Sequence, residues 1–162
     1  MENTGVNSLT EIADRLINKN HKIATAESCT GGWIAQEITA LPGSSEWFDS
    51  GFVTYSNQSK KRLLGVKSST LEEHGAVSEQ TVLEMAEGAL RNSDANYSVV
   101  TSGIAGPGGG TSEKPVGTVW IAWAGEEVGA TAEKVVFKGD RESVRKQAVN
   151  YALEGILRKL LA

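Results

Sequence analysis

The chain has 162 residues, 40% of them hydrophobic and 22% charged, with a formal net charge of −4. That length suits one domain with a sizeable core, here expected over 1–162, and the acidic balance argues against a nucleic-acid partner. A single cysteine, Cys29, excludes an internal disulfide, and with only two distant histidines, His21 and His74, no metal site is expected.

The first helix carries Leu9, Ile12, Ala13, Leu16 and Ile17 on one stripe, with Ser8 or Thr10 placed to cap it. Residues 1–20 hold no apolar signal segment, and no run approaches the ~20 apolar residues of a membrane span, so a cytoplasmic chain without a membrane partner is expected. Lys22–Ala26 reads as a strand and Gly32–Thr39 as a helix. Leu41-Pro42-Gly43-Ser44 is a turn and Gly51–Tyr55 a second strand. Ser56 caps a helix that runs to Leu64 and is closed by Gly65. Ser78 caps another, with Val82, Met85, Ala86 and Leu90 inward. Tyr97–Thr101 is a strand and Ser102–Pro115 a glycine-rich loop. Val116–Ala124 and Thr131–Phe137 form an antiparallel hairpin across residues 125–129. Asp140 caps a long last helix. The alternation implies a three-layer α/β/α domain, and the hairpin makes its five-stranded sheet mixed, though mostly parallel.

The stretch Ala26-Glu27-Ser28-Cys29-Thr30-Gly31-Gly32 joins a strand to a helix through a tight turn. Such a turn presents a nucleophile to a ligand while backbone N–H groups point at the same spot. A serine needs a base to take its proton, and a lysine serves if its pKa is lowered. Tyr55 ends a second strand and Lys60 lies in the first turns of the next helix; such strand-to-helix turns converge on one sheet edge, so Ser28, Tyr55 and Lys60 form a candidate catalytic set. On spacing alone, Tyr55 also fits a cap on the core and Lys60 a solvated helix lysine.

Glu27 and Cys29 flank Ser28 and could build a cysteine–glutamate–lysine centre instead. Neighbouring residues face opposite sides of a strand, so only one of Ser28 and Cys29 is expected to face the site. A lone cysteine also fits a small buried hydrophobe. The segment Thr101-Ser102-Gly103-Ile104-Ala105-Gly106-Pro107-Gly108-Gly109-Gly110 allows close backbone approach to a ligand, yet lacks both the Walker and the dinucleotide signatures, and equally suits a flexible surface loop. Arg141 and Arg145 share a face at the start of the last helix, where the macrodipole disfavours cations. A bound anion would reconcile them with that position; pairing with Asp140 and Glu142 would do so as well.

Taken together, the stretches TAESCTGGWIAQEIT, SSEWFDSGFVTYSNQSKKRLLGV, HGAVSEQTVLEMAEGAL, SGIAGPGGGTSEKPVGTVWIAWA and GDRESVRKQAVNYAL resemble the C-terminal domain of the competence-damage-inducible (CinA) family, in order and over nearly the whole chain. The resemblance implies an α/β/α domain that, in stand-alone members, converts nicotinamide mononucleotide to nicotinate mononucleotide and ammonia, recycling pyridine nucleotides without a cofactor. It implies that Ser28 attacks the carboxamide while Tyr55 and Lys60 move the proton. Substrate contacts are expected from Thr30, Gly31, Gly32, Ser102, Gly103 and Gly106. Arg141 and Arg145 are expected on the 5′-phosphate, and the protein is expected to form a homodimer or higher homo-oligomer. Larger members add an N-terminal pyrophosphatase domain that this sequence does not contain. A catalytically silent nucleotide-binding module of the same fold is the alternative. A short-chain oxidoreductase does not fit, because its tyrosine and lysine stand four apart rather than five and its dinucleotide loop is missing here.

Overall fold

The computed structural model describes residues 4–162, with side chains from Ser8 onward. Its elements run α1 (Thr4–Asn18), β1 (Ile23–Glu27), α2 (Trp33–Thr39), a 3₁₀ turn (Ser44–Glu46), β2 (Phe48–Val53), α3 (Asn57–Leu64) and α4 (Ser68–His74). They continue with α5 (Glu79–Arg91), β3 (Tyr97–Gly103), β4 (Thr118–Gly125), β5 (Gly129–Val136) and α6 (Arg141–Leu161).

One five-stranded sheet in the order β2-β1-β3-β4-β5 divides the molecule. β1 pairs parallel with both β2 and β3, while β3–β4 and β4–β5 are antiparallel. Four strands therefore point the same way and β4 alone is reversed, as expected for a mixed sheet closed by a hairpin. Side chains alternate between the two faces. Ile23, Val99, Ile121 and Trp123 pack with α1, α2 and α6 through Ile12, Leu16, Ile34, Ala148 and Ile156. Ala26, Val100, Ala122 and Ala124 pack with α3 and α5 through Leu64, Val82, Met85 and Ala89. The small residues on this second face let α5 lie close to the sheet.

Capping sets the helix starts. Ser56 accepts from the Ser59 N–H and Ser59 answers to the Ser56 N–H, a reciprocal box at the head of α3. Ser78 and Asp140 cap α5 and α6 by accepting from Thr81 and Ser143, as the sequence predicts. Three details differ from expectation. α1 begins at Thr4, so Ser8 and Thr10 lie within it rather than at its cap, and Ile17 is exposed instead of inward. β2 starts at Phe48, not Gly51, because the chain already joins the sheet where the Trp47 carbonyl accepts from the Ile23 N–H. α4 was not expected at all, since its only large apolar residue is Leu71. It is held by Glu84 of α5, whose carboxylate accepts from the Lys67 N–H and the Thr70 hydroxyl.

The chain leaves β1 for the outer strand β2 over one face of the sheet and returns to β3 over the other. The loops after β1, β2 and β3 thus part at a common edge. A crevice at the carboxyl ends of parallel strands is where open α/β sheets bind ligands.

Candidate active site

Ser28 is the first residue beyond β1, and its N–H is fixed by the Thr101 carbonyl of β3. The chain turns at once, with the Gly31 N–H bonded to the Ser28 carbonyl and both Gly31 (φ 59°) and Gly32 (φ 102°) in the left-handed region. That conformation favours glycine and explains the Gly-Gly pair. It also removes the Gly31 N–H from the candidates for holding an oxyanion.

The turn stands on Glu27. This carboxylate is fully buried and accepts from the Thr30 hydroxyl at 2.6 Å, the Ile34 N–H at 2.8 Å and the Ala35 N–H at 3.1 Å. It therefore satisfies the first-turn N–H groups of α2, which Gly32 at the N-cap cannot serve with a side chain. Thr30 completes the brace through a hydroxyl–hydroxyl contact of 2.7 Å with Thr101. Glu27 is thus committed to structure, which leaves a cysteine–glutamate–lysine centre without its glutamate. The Cys29 thiol is pushed up to about 11 by burial, so it stays protonated near neutral pH.

Lys60 comes from the other side of the crevice, one turn into α3. Its side chain is 1% exposed and crosses beneath the end of β2. Nζ lies 2.9 Å from Ser28 Oγ, donates to the Thr54 carbonyl at 2.7 Å and sits 3.5 Å from the Tyr55 carbonyl. Burial lowers its pKa from 10.5 to about 8. In the neutral amine, two hydrogens serve the two carbonyls and the lone pair remains for the Ser28 proton. The lysine that spacing alone could not separate from a solvated one is therefore buried and aimed at the serine.

Tyr55 holds a different place from the one expected. Its side chain is exposed, and its phenol oxygen accepts from Arg141 Nη2 at 3.2 Å rather than standing between Ser28 and Lys60. Arg141 also donates to the Gly106 carbonyl at 2.8 Å, tying α6 to the glycine-rich loop. Ser28, Lys60, Tyr55, Gly106 and Arg141 border one cavity of about 290 Å³, with Cys29, Ser102 and Gly103 on its wall. That is the small end of the range for small-molecule sites. Ser102 spends its hydroxyl on the Ala76 carbonyl, fixing the Ala76–Val77 wall. Thr30, Gly31, Gly32 and Arg145 are not on the cavity wall: Arg145 bonds the carbonyls of Cys29 and Thr30 from outside. Arg141 and Arg145 form no salt bridge with Asp140 or Glu142 among the described residues.

Four contributors carry no sequence signal. Asn57, beside the Ser56 cap, Ala76 and Val77 line the cavity. The Thr54 carbonyl is a main-chain group, invisible to any motif. Among the described residues no cluster of three or more histidine, cysteine or acidic side chains could hold a metal, and no helix is long and apolar enough to cross a membrane.

A buried serine–lysine pair beside a small cavity at the carboxyl edge of an α/β/α sheet defines the class: an open-sheet α/β protein with a small-ligand crevice at its strand ends. A profile of the CinA C-terminal domain matches residues 6–160, and the chain belongs to that family. It is 50% identical over 151 residues to the nicotinamide-nucleotide amidohydrolase PncC of Escherichia coli K12, covering 93% of this chain and 92% of that protein. It is likewise 50% identical over 148 residues to the protein of that name from Pseudomonas putida, covering 91% and 92%. Among solved structures, competence damage-inducible protein A of Klebsiella pneumoniae superposes with a TM-score of 0.92 at 39% identity, over 97% of each chain. A competence/damage inducible protein of Agrobacterium tumefaciens gives 0.87 at 44% identity, over 96% of each.

The brace under the turn generates a stability prediction. Glu27→Ala removes an acceptor of three hydrogen bonds and leaves two N–H groups of α2, one buried and one part-buried, without their acceptor. With charge-assisted bonds at roughly 1.5–3 kcal/mol each, the loss is expected to exceed ~3 kcal/mol. Chemical denaturation measures it; a loss under ~1 kcal/mol would show that the carboxylate is not the brace.

Proposed function

We propose that this protein is a nicotinamide-nucleotide amidohydrolase, converting nicotinamide mononucleotide and water to nicotinate mononucleotide and ammonia in pyridine-nucleotide recycling. One observation carries the reading: a buried amine with a lowered pKa, 2.9 Å from a serine hydroxyl at the wall of a small cavity. The names of the relatives supply the substrate class.

The reaction follows from these groups. Ser28 Oγ attacks the carboxamide carbon as its proton passes to the lone pair of Lys60. The tetrahedral intermediate collapses by breaking the C–N bond, and Lys60 gives its proton to the departing nitrogen, so ammonia leaves and a Ser28 ester remains. Lys60, neutral again, takes a proton from water. The hydroxide attacks the ester carbon, the C–O bond to Ser28 breaks, and Lys60 returns the proton to Oγ. Nicotinate mononucleotide departs as the carboxylate, its acid proton passing to ammonia or solvent. The path from serine to lysine is direct. Tyr55 contributes its carbonyl beneath Nζ and its phenol at the cavity wall, where it holds Arg141. Arg141 is the cation placed for the 5′-phosphate, since it reaches the cavity while Arg145 does not.

Ammonia release from nicotinamide mononucleotide by the pure protein tests the reading. Ser28→Ala is expected to abolish turnover, whereas Cys29→Ala retains most of it. The reverse pattern would transfer the nucleophile to Cys29.

The base must be neutral to act, and neutral Lys60 accumulates as pH rises through about 8. kcat/KM is therefore expected to climb between pH 7 and 9 with a midpoint near 8, because this quantity reports the free enzyme. A profile flat over that range would remove Lys60 as the base. Lys60→Arg, which cannot act as a base, is expected to lose kcat.

Arg141→Ala removes a charge-assisted contact worth roughly 1.5–3 kcal/mol. It is expected to raise KM for the mononucleotide about ten- to a hundredfold and to change KM for nicotinamide riboside little. Equal effects on both would place the phosphate elsewhere.

A further inference from the structure

Arg145 is the strong cation of the site that the reaction leaves unused. It is half-buried, and its guanidinium faces the nucleophile turn: Nε donates to the Cys29 carbonyl at 3.0 Å, Nη2 donates to the Thr30 carbonyl at 3.2 Å, and Cζ lies 5.3 Å from the centre of the Trp33 ring. Its neighbours are two main-chain dipoles of the nucleophile turn and the first residue of α2. No carboxylate lies within salt-bridge distance of it among the described residues. Gly31 passes beneath the same group: a Cβ there would stand 3.5 Å from Nη2.

A trans peptide points its N–H opposite to its C=O. The Cys29 carbonyl and the Thr30 N–H belong to one peptide unit. With the carbonyl held by Arg145, the Thr30 N–H points away from Arg145, and the residue on its N-terminal side, Cys29, borders the cavity together with Ser28. The Thr30–Gly31 unit is fixed in the same way, its carbonyl on Arg145 and its N–H on the Ser28 carbonyl. A planar guanidinium bonds two carbonyls along its edge while its face lies over a ring; a lysine ammonium has no such face.

We propose that Arg145 is a positioning residue, which by gripping the Cys29 and Thr30 carbonyls aims the Thr30 N–H at the oxygen that gains charge when Ser28 attacks. This role rests on the amidase reading and goes beyond it. It accounts for a guanidinium in the second turn of α6 without an anion, because two carbonyl oxygens supply the negative end. An N–H donor at an oxyanion acts chiefly in the transition state, so its loss falls on kcat.

The test compares Arg145→Ala and Arg145→Lys with the unaltered protein on nicotinamide mononucleotide and nicotinamide riboside. It also follows the rate at which a fluorophosphonate labels Ser28, a reaction that needs the same turn and no nucleotide. Arg145→Ala is expected to lower kcat roughly 10²-fold on both substrates, to leave both KM values within a few-fold, and to slow labelling in parallel. Arg145→Lys keeps the charge and one bond, so an intermediate loss is expected; it also carries the comparison should Arg145→Ala fail to fold by circular dichroism. A rise in KM confined to the mononucleotide would make Arg145 a phosphate ligand and overturn the proposal. Unchanged kcat and labelling in both variants would reduce it to a structural staple, again overturning it. Unaltered protein that is labelled at Ser28 yet releases no ammonia would sink the substrate reading, and the labelling rates alone would then decide the role of Arg145.

Discussion

The site depends on one costly arrangement, a lysine amine taken out of water and set against a serine hydroxyl. Desolvation disfavours the charged form, and here it brings Lys60 down to about 8. What keeps the amine in place is a main-chain carbonyl, that of Thr54 at 2.7 Å. A carbonyl accepts a hydrogen bond without supplying the full charge that would hold the lysine protonated. A carboxylate in the same position would raise the pKa again and abolish the base. The nearest buried carboxylate, Glu27, is instead consumed by Thr30, Ile34 and Ala35 on the far side of the turn. The fold thereby keeps an acid and a base, both buried, from neutralising each other's purpose.

The sheet makes that separation possible. Ser28, Thr54 and Ser102 all lie at the carboxyl ends of parallel neighbours, β1, β2 and β3. Glu27 faces the layer of α1, α2 and α6, where it braces α2; Lys60 reaches the edge from α3 in the opposite layer. α6 then closes the outer side, with Arg141 on the cavity and Arg145 on the turn. A single helix, capped at its start by Asp140, so delivers two arginines to two different duties four residues apart.

Much of this was legible in the sequence because it is local. The strand, turn and glycine pair that carry Ser28 are read from apolar spacing and from the left-handed demand of Gly31 and Gly32. The caps Ser56, Ser78 and Asp140 are chemical signals within three residues of their targets. Contacts across long sequence distances were not legible. Whether Lys60 is solvated or buried depends on where α3 sits relative to β1, 32 residues away. The family resemblance implies a proton-moving role for Tyr55, yet the residue before it, Thr54, turns inward and leaves the phenol at the surface. The macrodipole argument at Arg141 and Arg145 asks for an anion or a neighbouring carboxylate; the groups that meet Arg145 are instead main-chain carbonyls more than a hundred residues away. α4 escaped notice because its stabilising group, Glu84, is on another helix.

The central claim is that burial brings the Lys60 amine, in contact with Ser28, down to a pKa of about 8, so that its neutral form accumulates just above neutral pH. The direct measurement is an NMR titration of the protein with ¹³C in its lysine side chains, the Lys60 resonance being assigned by its loss in Lys60→Arg. A midpoint near 8 is predicted, well apart from the surface lysines. A Lys60 that titrates with them, near the ordinary 10.5, would remain an ammonium up to about pH 9 and contradict the account.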